Sequence, residues 1–412
     1  MEGTDFERAF DGDDRSGPFS CYGELQSEPA EMKILILFSH LWHGGSAGGA
    51  ETHATQLMQE LSRRGHQIVL VTCSGKDEVE GMPAGVAAKY ELPFHGLNPF
   101  DQIKVYRKLA EIVQKHSIEM IHAHHRTAGI FAECIFRGRH VPYVISMHDT
   151  WRRAPLKRFH GKFFRRLIAV SAYIKREMEK QYRFSPERIR VIHNGVDPAP
   201  FEKASREEAA QFRKKNGIED EVVLSLIARV TRAKGHYTLV EALRLVPREL
   251  KLKCLIVGEG KEKQKLQQIV SDYGLDEKVR FTGFEANIPA VLQATDIMLL
   301  PSCQEPFGLA LVEAMLSRTA VIASDSGAIP EIITHEQDGL LFRAGDAAAL
   351  ARAIQRLVAD KGLRQRLGEE GYRTAHRRFL LTRMVDDIED YYSEIVFAAT
   401  GARHHGAIAT GD

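Results

Sequence analysis

Short apolar runs alternate with helix-length amphipathic segments along most of the 412-residue chain. Ile34-LILF reads as a buried strand with glycine-rich sequence at its carboxyl end. Positions 52–61 then place Ala54, Leu57, Met58 and Leu61 on one helical face. Residues 67–72 predict the next strand, followed by a loop-rich stretch and a helix near 101–115. Further strands are predicted at 118–122, 142–147, 167–170 and 189–193. This rhythm predicts an open α/β sheet, with active residues beyond the strands' carboxyl ends.

The rhythm breaks at Asp197-PAPF and a polar segment reaching Glu221, then starts again. Strands are predicted at 222–228, 252–257, 278–282, 296–300 and 320–324, with a helix over 237–246. Length agrees with two domains, since single cores commonly stop growing near ~250–300 residues. The expected organisation is an acidic leader over 1–31, a first α/β domain over 32–196 and a linker region over 197–220. A second α/β domain over 221–375, a carboxyl-terminal helix over 376–397 and a flexible tail over 398–412 complete it. Met384, Ile388, Tyr391, Tyr392 and Ile395 form the apolar stripe of that helix. Two similar domains imply a cleft between them, a common place for a ligand.

Charge narrows the partners. Lysine and arginine exceed aspartate and glutamate by 56 − 55 = +1, which offers no argument for nucleic-acid binding. Residues 1–31 carry nine acidic and two basic residues, a net of −7, so the rest carries +8. The leader has no basic start followed by an apolar run, and Met32 is a candidate translation start. No apolar stretch approaches the ~18 residues of a membrane span. Cys21, Cys73, Cys134, Cys254 and Cys303 are scattered without a CxxC pair, which fits a reduced cytosol. A cytoplasmic location is expected.

Several loops carry candidate chemistry. In Gly44-GSAGGAETH, Gly48 and Gly49 stand between a strand and a helix, where backbone N–H groups can approach an anion. The segment matches neither GxGxxG nor Walker A, which weakens oxidoreductase and P-loop ATPase readings. Arg229 and Lys234 lie between another strand and helix and suit a diphosphate. Either alone reads as a solvated basic turn. Gly258 and Gly260 follow the next strand. In Asp296-IMLLPSCQEPFGLALVEAM, Glu305 lies in a loop, able to accept hydrogen bonds from sugar hydroxyls. The N–H groups of Phe307, Gly308 and Leu309 face a helix entrance, and Glu313 follows about two turns along. Taken singly, Glu305 also reads as an acidic helix start and Glu313 as a solvated helix residue.

Gly48-GAE, His148-D, Asn194-GVD, the RxxxxKG motif of Arg229 and Lys234, and Glu305-PFGLALVE occur in that order. Over residues 33–395 the chain resembles the retaining GT-B glycosyltransferases of family 4, the glycogen-synthase-like group. The resemblance implies two Rossmann-like domains separated by a deep cleft, with the carboxyl-terminal helix returning to the first. It implies transfer of a sugar from a nucleotide diphosphate, UDP preferred over GDP, to a hydroxyl acceptor. By that resemblance Arg229 and Lys234 hold the diphosphate, Glu305 orients the sugar hydroxyls, Glu313 meets the ribose and His148 lies near the anomeric centre. Gly49 brings N–H groups toward phosphate, while Gly258, Gly260 and the Phe281-TGF turn ending at Phe284 shape the nucleotide pocket. Asn194 supports the acceptor or the hinge. The leaving phosphate takes the acceptor proton on the same face of the sugar, with no metal and no further cofactor.

Departures occur at Leu316-SRTAV and at Ala328, where a glycine is common in the family. They affect turn geometry and leave the acceptor open. A GT-B epimerase and a noncatalytic nucleotide-sugar scaffold remain as alternatives. His122, His124 and His125 lack a nearby Cys/Asp/Glu set for zinc, so cleft lining or hydrogen bonding is expected. Asp11-GD is read as leader charge. Finally, Arg152 through Arg166 holds seven positive charges and no acid, with Phe159, Phe163, Phe164 and Leu167 nearby. That run suits an anionic membrane surface or a lipid-linked phosphate.

Overall fold

The computed structural model describes residues 31–38, 49–73, 84–94, 98–150 and 161–406. Residues 1–30 of the acidic leader, Gly48 and residues 152–160 of the basic run lie outside the described residues. The first sheet has seven parallel strands in the order β3-β2-β1-β4-β5-β6-β7. They are β1 (Lys33–Phe38), β2 (Gln67–Thr72), β3 (Val86–Glu91), β4 (Met120–Ala123), β5 (Tyr143–Met147), β6 (Leu167–Ala169) and β7 (Ile189–Val191). The second has six, in the order β10-β9-β8-β11-β12-β13, again parallel. They are β8 (Val222–Ile227), β9 (Leu252–Val257), β10 (Val279–Gly283), β11 (Ile297–Leu300), β12 (Ala320–Ser324) and β13 (Leu340–Phe342). Central strands are apolar at nearly every position because helices cover both faces. In each sheet the strand order reverses beside the first strand, between β1 and β4 and between β8 and β11. Those two switch points open crevices at the strands' carboxyl ends.

Three expectations change. The stretch read as loop-rich contains edge strand β3, whose VAAKYE sequence is mostly half-exposed and so lacks an apolar run. Residues 197–220, expected as a linker, form helices Ala199–Glu202 and Arg206–Lys215. Ser205 caps the longer helix at the Glu208 N–H, and Ala209 and Phe212 pack with Val223, Leu255, Val257 and Val291. Two buried apolar residues among so many charges gave too weak a period to read. The tail expected from 398 is helical to Gly406, within helix Leu381–Gly406.

That last helix packs on the first sheet. Met384, Val385, Ile388, Tyr391, Tyr392 and Ile395 join Ile34, Ile36, Leu57, Met58, Val144 and Ile168 in one buried cluster. The chain reaches it across Gly195, where a Cβ would meet the Leu380 carbonyl oxygen at 2.4 Å. Polar clamps fix the helix. Glu389, 5% exposed, accepts from Arg64 at 2.6 Å and from His66 Nε2 at 2.7 Å. His66 Nδ1 accepts the Met32 N–H at 3.1 Å, so the proton facing Glu389 sits on Nε2. Arg190 on β7 makes paired bonds of 2.8 and 2.7 Å to Glu394.

The basic run divides between core and surface. Phe164 is fully buried, whereas Phe163 is half-buried and lies beneath the Arg137 guanidinium. Lys162 and Arg165 are exposed. Arg139, His140, Arg165, Arg166 and Arg188 line a cavity of about 900 Å³, in which Glu187 is the one acid among the described lining residues. It lies at the amino ends of β5, β6 and β7, opposite the crevice. No helix among the described residues is long and apolar enough to cross a membrane.

Burial opposes the Glu389 charge, but the bonds from His66 and Arg64 outweigh it and hold the carboxyl below its usual range. Its stabilising effect is therefore complete above the ordinary carboxyl pKa and lost as pH falls through the lowered value. Glu389→Ala is expected to cost about 1–3 kcal/mol at pH 7, because it leaves the buried His66 Nε2–H without its acceptor and takes one of three carboxylates from Arg64. Thermal melting at pH 7 and pH 4 checks this, with a smaller gap between wild type and variant at the acidic pH.

Candidate active site

Three loops of the second domain meet at its switch point. Arg229 leaves β8 and is exposed, with no ion pair among the described residues. The tight turn Arg232–Lys234 follows and ends at Gly235, with φ +74°. A Cβ on Gly235 would lie 1.7 Å from the Pro301 carbonyl oxygen, so glycine alone lets this turn lie against the loop after β11. That contact brings Lys234 to Glu305. The ammonium donates to both carboxylate oxygens, at 3.1 and 2.8 Å, and the Ser302 hydroxyl adds a bond of 3.0 Å. Glu305 is 5% exposed, whereas the Lys234 side chain retains 27%.

Gly258 and Gly260 support this loop from behind. A Cβ on either would meet the Ala228 or the Val230 carbonyl oxygen at 2.3 Å. Their missing side chains let the loop after β9 pack on the backbone flanking Arg229. Phe284, just past β10, is 48% exposed. Beyond Glu305, Gly308 adopts φ +114° and opens helix Leu309–Leu316, leaving the N–H groups of its first turn without helical partners. Phe307 turns its side chain into the core beside His193 and Phe379, so only its backbone serves the loop.

Glu313 occupies the same helix, largely enclosed by protein. No hydrogen bond or cation meets its carboxylate among the described residues, and burial raises its pKa to about 7. This carboxyl is thus divided between its two protonation states near neutrality.

The first domain faces these loops with imidazoles. His148 follows β5, and its Nε2 lies 3.1 Å from Nδ1 of His124, at the end of β4. The two rings are nearly parallel, and the His53 ring stands edge-on to His148 with centroids 4.8 Å apart. Burial pushes His124 and His148 well below the ordinary value and His53 down to about 4, so all three are neutral at pH 7. His122 behaves as an ordinary bonded histidine, its nitrogens held by the hydroxyls of Tyr392 at 2.5 Å and Ser146 at 2.7 Å. His125 precedes helix Arg126–Arg139 as its cap residue. Gly49 starts helix Gly49–Arg63, and a Cβ there would lie 3.3 Å from the Leu309 side chain. The first domain's glycine loop thus ends against the helix entrance after Glu305.

Sequence reasoning passed over two residues here. His53 was legible as a polar residue on the apolar face of Ala54, Leu57 and Leu61, all buried. Glu331 gave no such signal. Its carboxylate accepts the N–H groups of Ala172 at 2.8 Å and Tyr173 at 2.6 Å, at the amino end of helix Ala172–Tyr182. His193 adds a contact at 3.1 Å. Ser171 donates to the Pro306 carbonyl at 2.7 Å, so the first domain also grips the loop beside Glu305. Asn194 is buried, and its side-chain oxygen has no hydrogen-bond partner among the described residues.

A family model described as Glycosyltransferase Family 4 matches residues 47–200, and one described as Glycosyl transferases group 1 matches residues 208–374. The chain is 27% identical over 375 residues to the N-acetyl-alpha-D-glucosaminyl L-malate synthase of Bacillus anthracis, covering 85% of this chain and 95% of that protein. A glycosyltransferase crystal structure from Rickettsia africae superposes with a TM-score of 0.80 at 22% identity, covering 89% of this chain and 99% of that one. Anabaena HepE in complex with UDP-glucose gives 0.77 at 23%, covering 88% and 100%. Two parallel-sheet domains that match these two models in succession make the chain a member of the family 4, group 1 glycosyltransferases of the GT-B fold.

Proposed function

We propose that the chain transfers a sugar from a nucleotide diphosphate, with retention and without a metal, to a hydroxyl of a glycan, lipid-linked or small-molecule acceptor. The observation that carries this reading is the buried Glu305 carboxylate held by Lys234, beside exposed Arg229 and an uncapped helix entrance. The relative crystallised with UDP-glucose supports UDP as the donor nucleotide.

In this reading Arg229, the spare N–H bonds of Lys234 and the N–H groups of Gly308, Leu309 and Gly49 receive the diphosphate. Glu305, oriented by Ser302 and Lys234, accepts from the donor sugar's hydroxyls. Glu313 accepts from the ribose, and exposed Phe284 offers a face to the base. As the bond from the anomeric carbon to phosphate oxygen breaks, negative charge grows on the diphosphate and meets fixed donors. The acceptor oxygen bonds to the same carbon, and its proton passes to the departing phosphate. His148 stays neutral beside the developing oxocarbenium ion, so it hydrogen-bonds without repelling that charge. An epimerase or a scaffold would give no acceptor-dependent product.

Arg229→Ala is expected to lower kcat/KM by about a hundredfold with little change in melting, since its side chain is exposed. Lys234→Ala is expected to lose both activity and stability, because it strands a buried carboxylate. Glu305→Gln should lower kcat by about a hundredfold while donor affinity changes severalfold. Steady-state kinetics over a donor and acceptor panel, with melting curves, check these; wild-type rates in all three variants would contradict the assignment.

Glu313 predicts a pH dependence. Its charge costs the fold nothing below its ordinary pKa of 4.5; the cost builds toward about 7 and is complete above it. That cost is about 3 kcal/mol at most. Glu313→Gln should therefore melt higher than wild type at pH 8 yet bind donor more weakly. Donor KM of the wild type should fall as pH rises from 6 to 8, and the variant should flatten that profile.

An anionic surface belongs to the same proposal, supported by the arginine-lined cavity beneath β5–β7 and the basic run leading to it. Sedimentation with anionic vesicles at low salt should succeed, and fail with neutral vesicles, at high salt, or after charge reversal of Arg152, Arg153, Lys157 and Arg158. Wild type that ignores anionic vesicles would end this part alone.

A further inference from the structure

His53, His124 and His148 come from three different elements and converge at the β1/β4 switch point. One nitrogen from each lies within 4.8 Å of the others. Ring centroids are 4.8 Å apart for His53 and His148, 5.4 Å for His124 and His148 and 5.8 Å for His53 and His124. Zinc–nitrogen bonds of about 2.0–2.1 Å place tetrahedral nitrogens about 3.3 Å apart and imidazole centroids about 5 Å apart. His124 Nδ1 and His148 Nε2, hydrogen-bonded to each other at 3.1 Å, already stand at about one such edge, and a bound ion would replace that bond.

His53 makes the arrangement costly as it stands. Among the described residues both its ring nitrogens are buried with no hydrogen-bond partner, as is Nε2 of His124. A buried polar atom without a partner calls for an explanation such as an ion. Behind the trio, the His122 ring stacks on His124 at 4.2 Å and is itself fixed by Tyr392 and Ser146. The backing is therefore rigid.

We propose that His53, His124 and His148 bind one zinc-type divalent cation, and that the bound ion inhibits the enzyme. Among the described residues the group contains imidazoles and no carboxylate or thiolate, a donor set suited to Zn²⁺, Co²⁺, Ni²⁺ or Cu²⁺ and not to Mg²⁺. Three protein ligands leave a fourth position open to solvent or an anion. The inhibitory half rests on the proposed role of His148: an ion on that imidazole removes it from the sugar. Transfer itself still needs no metal, and the ion acts by competing for a group that transfer uses.

Cobalt is the probe. Metal-stripped full-length chain titrated with Co²⁺ should develop the visible absorption of four-coordinate cobalt, saturating at one equivalent. Zn²⁺ should abolish that signal and Mg²⁺ should not. His53→Asn and His53→Phe, checked for folding by melting, should each weaken cobalt binding at least tenfold; unchanged binding in a folded variant overturns the site. X-ray absorption on the wild-type zinc complex serves if both variants misfold. Three imidazoles without sulfur are expected, and a sulfur ligand or fewer than two imidazoles overturns the site.

The activity arm is separate. Zn²⁺ should suppress transfer, a chelator should restore it, and His53→Asn should need at least tenfold more Zn²⁺ for equal suppression. Full transfer by the saturated zinc complex overturns the inhibitory half. If the chain transfers no sugar at all, the cobalt titration still decides whether the site exists.

Discussion

A carboxylate taken out of water must be paired and hydrogen-bonded, and the second domain's crevice is organised around meeting that demand at Glu305. Lys234 covers both oxygens and Ser302 one. The Ser302 carbonyl is in turn held by the hydroxyls of Ser324 at 2.6 Å and Ser326 at 2.9 Å. Gly327 lies so near the Glu305 backbone that a Cβ would come within 2.1 Å of its carbonyl oxygen, which also accepts the Ala328 N–H. The loops after β8, β11 and β12 are therefore mutually fixed. Through Pro306 and Ser171 the first domain is tied to the same loop.

The two sides of the crevice differ in electrical character. Cations, a buried carboxylate and a free helix entrance come from the second domain, where a diphosphate and sugar hydroxyls would be held. The first domain supplies desolvated, neutral imidazoles and a glycine that lets the helix start approach Leu309. In the proposed transfer, charge recognition and the reacting carbon are served by different domains. The Glu331 contacts to Ala172 and Tyr173 hold the two surfaces together.

Central strands were legible because burial on both faces removes any need for polar residues, leaving runs such as β1 and β11. Edge strand β3 and helix Arg206–Lys215 were not, since each buries too few side chains to impose a period. Motif spacing brought Lys234 and Glu305 into one reading, but not their direct pairing, which depends on Gly235 passing beneath Pro301. The carboxylate of Glu331 was invisible for a similar reason: its partners are backbone N–H groups more than 150 residues away. His53 lies 71 residues from His124, so only the fold reveals that they adjoin.

The most direct test of the account follows the anomeric carbon. The full-length chain, supplied with an α-linked UDP-sugar and a hydroxyl acceptor, should yield an acceptor-linked product whose anomeric proton NMR signal shows the α configuration from the earliest time points. A β-configured product, or consumption of donor with no acceptor-linked sugar, would contradict it.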